Sequence, residues 1–122
     1  MSKQPYPCPC CGYLVFAEPP GSYSVCPICD WEDDAFQLRY PDQAGGANGP
    51  SLMEAQRHFA SIGVSDPRCR GRERAPGPAD RRDPAWRPVD LWRDIVAHAD
   101  AADTPGSWPE DPARLYYWRV GF

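Results

Sequence analysis

Six cysteines stand in this 122-residue chain, five of them before residue 30. They fall in two short motifs: Cys8-Pro9-Cys10-Cys11-Gly12 and Cys26-Pro27-Ile28-Cys29-Asp30. Each contains Cys-Pro-x-Cys followed by a residue that tolerates a left-handed backbone. Two thiolates three positions apart grip one ion from a tight turn. Proline at the second position presets the turn's φ, and Gly or Asp after the second Cys permits the backbone to reverse. Amide N–H groups inside such a turn point at the sulfurs and offset their charge. Fourteen residues lie between Cys11 and Cys26, the length of a short hairpin. The expected ligand set is therefore Cys8, Cys11, Cys26 and Cys29 around one tetrahedral Zn²⁺ per chain, with iron less favoured. A closed four-sulfur set has no open position for water or substrate, so its expected work is structural rather than catalytic.

Composition makes such a site necessary. Leu, Ile, Val and Phe together are about 15 % of the chain, too few for a large aliphatic core. Proline and glycine number 16 and 10. Yet 15 aromatic residues and a net charge of only −4 argue against disorder throughout. Structural zinc contributes about 10–16 kcal/mol in small domains, comparable to the whole stability of an ordinary one.

Two other thiols are surplus. Cys10, inside the first knuckle among thiolates, is read first as a spectator, and Cys69, between arginines expected to lower its pKa, as an incidental linker cysteine; the alternative for both is a reactive thiol. After the second knuckle, Trp31, Glu32, Asp33 and Asp34 form an acidic run. One reading is a docking surface for a basic partner or a second cation site, the other a solvated run that caps a short helical turn. The aromatic residues Tyr116, Tyr117 and Trp118, with Trp86, Trp92 and Trp108, are read first as a small aromatic core and second as a binding face; strand alternation would set Tyr116 and Trp118 on one side, with Tyr117 on the other. His58 and His98 have no metal-ligand spacing, and no Ser–His–Asp set stands out.

Three parts position these groups: a cysteine-rich metal-binding domain over 5–66, an Arg/Pro/Gly-rich linker over 67–82, and an extension over 83–122. The first 66 residues hold three basic and eight acidic side chains, while the linker alone holds six arginines. The linker is expected to be mobile and solvated; its alternative use is a contact strip for nucleic acid, which the net acidity does not favour. Segments 13–16 and 22–25 read as strands joined by a Pro19-Pro20-Gly21 turn. Ser51-Leu52-Met53-Glu54 is a capping box opening a helix with Leu52, Ala55, Phe59 and Ile62 on one face, closed by Gly63. Gly45-Gly46-Ala47-Asn48 is a shaped turn before it, with Asn48 suited to positive φ. A second helix is expected from Pro88 through Leu91, Trp92, Ile95, Val96 and Ala99. The run 115–120 reads as a C-terminal strand. The fold class is a small α+β protein: a zinc-ribbon or rubredoxin-like knuckle domain with a short hairpin, followed by helices and a C-terminal strand.

Over about residues 6–66 these motifs resemble the bacterial cysteine-rich CPCC family. The resemblance rests on Cys8-Pro-Cys-Cys-Gly-Tyr, Cys26-Pro-Ile-Cys-Asp-Trp-Glu-Asp-Asp34, Pro41-Asp42, Gly45-Gly46-Ala47-Asn48 and Ser51-Leu52-Met53-Glu54-Ala55. It implies a small zinc-binding-like domain and brings no activity with it. The first knuckle is also similar to the opening of rubredoxins, which would make the chain an iron electron carrier, but the spacer is shorter than theirs. The expected function is non-enzymatic: a zinc-stabilised protein-interaction module whose partner is another protein. An immunity-type inhibitor of a bacterial toxin is a specific version by analogy. No charged-then-apolar leader pattern and no apolar run of membrane-spanning length is visible, so the expected location is cytoplasmic.

Overall fold

The computed structural model describes residues 5–90, 94 and 108–119. Two strands, β1 (Tyr6–Pro7) and β2 (Leu14–Phe16), pair antiparallel across the first knuckle, with Pro7 opposite Leu14. Two helices follow, α1 (Ala35–Arg39) and α2 (Leu52–Ile62). Three 3-10 turns complete the described elements, at Pro67–Cys69, Pro112–Leu115 and Tyr117–Arg119. A two-stranded hairpin, few helices and a cysteine knuckle make this a small α+β, zinc-ribbon-like domain.

The pairing differs from the expected hairpin. Segment 13–16 does not pair with 22–25. Each Cys-Pro-x-Cys turn reverses the chain by itself, so the strands closest at hand are the knuckle's own flanks. Thus β1 meets β2 around Cys8–Cys11, and Ser24–Val25 folds back on Glu32–Asp33 around Cys26–Cys29, with Val25 opposite Glu32.

α2 forms as its sequence dictates. The Ser51 hydroxyl accepts from the Glu54 N–H, the Glu54 carboxylate accepts from the Ser51 N–H, and Gly63 ends the helix at φ 79°. Leu52 and Ala55 are buried and Phe59 packs against the core. The loop before α2 departs from expectation at Asn48, which is not among the positive-φ residues; Gly45 takes that role at φ 79°. Gly46 is needed for a different reason. A Cβ there would lie 2.6 Å from Asp34 Oδ2.

The described residues of the run expected as a C-terminal strand close one 3-10 turn at Leu115 and form another at Tyr117–Arg119 instead. Pro112 presets the first, and the Asp111 side chain caps it by accepting from the Ala113 N–H. A strand would have sent Tyr117 to the opposite side from Tyr116 and Trp118. In the turns all three are buried in one cluster with Cys8, Cys10, Cys11, Phe16, Ile28 and Trp31. Aromatic burial, not ladder pairing, satisfies these strand formers. The helix expected from Pro88 to Ala99 lies largely outside the described residues.

The described residues of the 83–122 extension pack on the cysteine-rich part through Asp83. Its Oδ2 accepts from Trp118 Nε1 and Arg119 Nη2, each at 2.9 Å, and its own N–H donates to the Gly12 carbonyl. Burial raises the Asp83 pKa, but the hydrogen bonds from Trp118, Ala85 and Arg119 outweigh it and hold the carboxyl below its ordinary value. A depressed folded-state pKa gives stability that is complete above the unfolded pKa and is lost as pH falls through the folded value. Asp83→Asn should therefore cost about 2 kcal/mol in urea unfolding at neutral pH. The gap between variant and wild type should close as the solution is acidified below pH ~4.

Candidate metal centre

The four cysteines of the two knuckles converge. The Sγ atoms of Cys8, Cys11, Cys26 and Cys29 all lie within 4.8 Å of one another, and each residue is fully buried. Cys8 and Cys29 Sγ are 3.6 Å apart, Cys11 and Cys26 Sγ 3.8 Å. Sulfurs placed about 2.3 Å from a central ion at the corners of a tetrahedron stand about 3.8 Å apart, so the donor set fits a tetrahedral thiophilic metal. The same separations are far beyond a disulfide bond of about 2 Å. The four cysteines thus form a possible metal site.

The knuckles are built alike. In the first, the Cys8 N–H donates to Tyr13 O and the Gly12 N–H to Cys8 O; in the second, Cys26 donates to Trp31 O and Asp30 to Cys26 O. The residue after each second cysteine is left-handed, Gly12 at φ 82° and Asp30 at φ 68°. Gly12 has a second constraint: a Cβ on it would stand 2.6 Å from the Trp86 ring.

The thiols show why the cluster calls for a cation. Burial pushes the Cys8 and Cys29 thiols well up. Cys26 is driven far down, first by hydrogen bonds from Cys11, Cys29 and Cys8 and then by the Cys29 backbone N–H. Four buried sulfurs in contact cannot all carry charge unless a cation stands among them. Loading a metal expels the remaining protons, so affinity must fall as pH falls.

The first knuckle also anchors chain from far away. Its Pro9 carbonyl accepts from Gln56 Nε2 at 3.0 Å and from Trp86 Nε1 at 2.9 Å. The Cys11 carbonyl accepts from Arg82 Nε at 2.8 Å, and the Arg82 guanidinium lies over the Tyr13 and Trp86 rings. Gln56 continues the chain of contacts to Tyr117 Oη and the Val89 N–H. Gln56 and Arg82 are not singled out by the sequence as site residues, whereas Trp86 belongs to its aromatic cluster. The one available signal was a glutamine on the apolar side of α2.

The other sequence candidates lie elsewhere than expected. The acidic run is not a surface patch. Trp31, Asp33 and Asp34 are buried, and only Glu32 is partly exposed. Asp34 caps α1 by accepting from the Phe36 and Gln37 N–H groups and also accepts from Ala47, while Asp33 accepts from the Ser22 N–H and hydroxyl. Short carboxylates beside a turn are consumed by its free N–H groups. Tyr116 and Trp118 are buried, in keeping with the aromatic-core reading and not with a docking face. Cys10 is fully buried, and burial raises its pKa, so it presents no exposed thiolate. Cys69 is also raised, by burial and by the Asp30 carboxylate beside it, which outweigh Arg72. The expected activation by flanking arginines does not hold, because burial and then the neighbouring carboxylates work against it.

Segment 67–82, read as a linker, touches both knuckles: Arg74 N–H donates to Ile28 O and Leu14 N–H to Arg81 O. Arg68 pairs with Asp66 and Arg74 with Asp80. No helix among the described residues is long and apolar enough to cross a membrane.

The family model described as Cysteine-rich CPCC matches residues 6–80, more than half of the sequence. The chain belongs to the cysteine-rich CPCC family. The match runs past residue 66 and takes in most of the Arg-rich segment that lies against the knuckles. A comparison with curated proteins gives no match.

Two substitutions separate ligand from bystander. Cys26→Ser should abolish metal loading and unfold the knuckles, read by metal content and circular dichroism. Cys10→Ser should leave one metal per chain. Gly12→Ala should cost about 3 kcal/mol in chemical denaturation, from the left-handed φ and the clash with Trp86 together.

Proposed function

We propose that this protein is a non-enzymatic, zinc-stabilised module that works by docking another protein, in the reducing environment of the cytoplasm. The observation that carries the reading is the closure of the sulfur set. Four cysteines from two turns, each wholly buried, supply the four ligands of a tetrahedral ion and leave no position for water or substrate. Zinc held by Cys8, Cys11, Cys26 and Cys29 would supply charge compensation and a cross-link between the knuckles. In a chain so poor in aliphatic residues, that cross-link replaces much of a conventional core.

Zinc is favoured over iron because every sulfur is buried. Reduced, unpaired cysteines suit a reducing compartment. The docking reading draws on the large apolar side chains left in solvent. Tyr23, Val25 and Phe36 are exposed, all on the stretch around the second knuckle.

Elemental analysis and a visible spectrum of the natively expressed protein test the metal. One zinc per chain without colour is the expected result, with zinc released progressively as pH is lowered. One iron per chain, with charge-transfer bands that bleach on reduction, would overturn this reading in favour of electron transfer.

A further inference from the structure

The likeness of the two knuckles makes one difference between them informative. Val25 faces Glu32 across the second knuckle as Pro7 faces Leu14 across the first. The hydrogen bonds Cys26 N–H to Trp31 O and Asp33 N–H to Ser24 O flank the Val25–Glu32 pair. In such an antiparallel pair both residues turn their own N–H and C=O outward. On the Glu32 side these groups are met. Asn48 Oδ1 accepts from the Glu32 N–H and Asn48 Nδ2 donates to the Glu32 carbonyl, each at 2.8 Å. On the Val25 side they meet no partner among the described residues.

That edge is open to solvent. Val25 is 51 % exposed and Tyr23 58 %. The matching edge of the first knuckle is blunted, because Pro7 has no N–H to offer and is buried. Side chains of directly opposed residues share a face, so Val25 and Glu32 project together. Both line a cavity of about 200 Å³, with Asp30, Asp66 and Arg72 also in its wall. Three carboxylates there face one guanidinium. Asp66 is held by Arg68, whereas the Glu32 carboxylate has no partner among the described residues.

We propose that the Val25 edge is a peptide-docking site for an extended, basic segment of a partner protein. The segment's backbone adds a strand beside Val25, and a lysine or arginine opposite Val25 reaches over it toward Glu32. Two strand spacings, about 10 Å, separate that position from Glu32, within the span of a long cationic side chain with its carboxylate. The proposal rests on the docking reading and names its surface and the chemistry of its partner.

The test uses the zinc-loaded full chain and two fluorescein-labelled octapeptides, one alternating Lys and Val, the other Glu and Val, followed by anisotropy. The Lys–Val peptide should bind saturably and more weakly as salt is raised, and the Glu–Val peptide should bind at least tenfold more weakly. Val25→Pro removes the edge N–H and should weaken the Lys–Val peptide tenfold or more. The first knuckle already carries proline at this place, and zinc content checks that the variant folds. Glu32→Lys should invert the preference between the peptides. Binding unchanged by Val25→Pro, a preference unchanged by Glu32→Lys, or no binding by the wild type would overturn the proposal. So would a concentration-dependent dimer in sedimentation that Val25→Pro abolishes, since the edge would then belong to a second copy. In pull-downs, a partner captured equally by wild type and Val25→Pro would remove this edge while leaving the docking reading intact. Capture by neither would remove both.

Discussion

Four sulfur atoms drawn from two turns into mutual contact form the constraint on which the rest of this structure depends. To bring them together, each knuckle must turn its sulfurs inward, and the first presents its peptide carbonyls to the chain around it. The Pro9, Cys11 and Gly12 carbonyls then become acceptors that the rest of the molecule must meet. Gln56 from α2, Arg82, Asp83 and Trp86 meet them. The aromatic turn Tyr116–Trp118 closes over the result, tied to Asp83 and Gln56. A chain with few aliphatic residues thereby builds its core from cysteines and rings.

Polar side chains do the joining that strands and helices do in larger domains. Gln37 is fully buried, yet its amide nitrogen donates to the carbonyls of Gln43, Asn48 and Pro50, and its oxygen accepts twice from Asn48. Asn48 in turn completes the edge of Glu32. Asp34 holds both α1 and the glycine-rich loop. Each of these buried groups is satisfied, so the loops are fixed although they contain little regular structure. The indole N–H of Trp31 is the exception among the described residues, buried without a partner.

The sequence was most legible where chemistry is local. Cysteine spacing, the proline in each turn and the left-handed residue after it located the four-sulfur cluster. Ser51, Glu54 and Gly63 located both ends of α2. Reading failed where the outcome depends on distant chain. The aromatic residues pointed to a core, but nothing in Tyr116-Tyr117-Trp118 says that the backbone will turn rather than alternate along a strand. The capping of a short helix by the Trp31–Asp34 run was legible and is met at Asp34, but nothing in the run says that its carboxylates also meet Ser22 and Ala47. Cys69 is the clearest case, because its sequence neighbours are arginines while its spatial neighbour is Asp30.

The Pro9 carbonyl sets an order of assembly. Each knuckle closes within a handful of residues and can form almost as soon as it is made. The two donors to Pro9 lie 47 and 77 residues away, and Arg82 reaches Cys11 across 71. Closing loops of that length is entropically costly and slow relative to a turn. The knuckles therefore serve as an early template, and the later chain is wound onto acceptors already held in place. Until that winding is complete, the rings of Trp86 and Trp118 lack their final neighbours, and this interval is when the chain is most exposed to non-specific association.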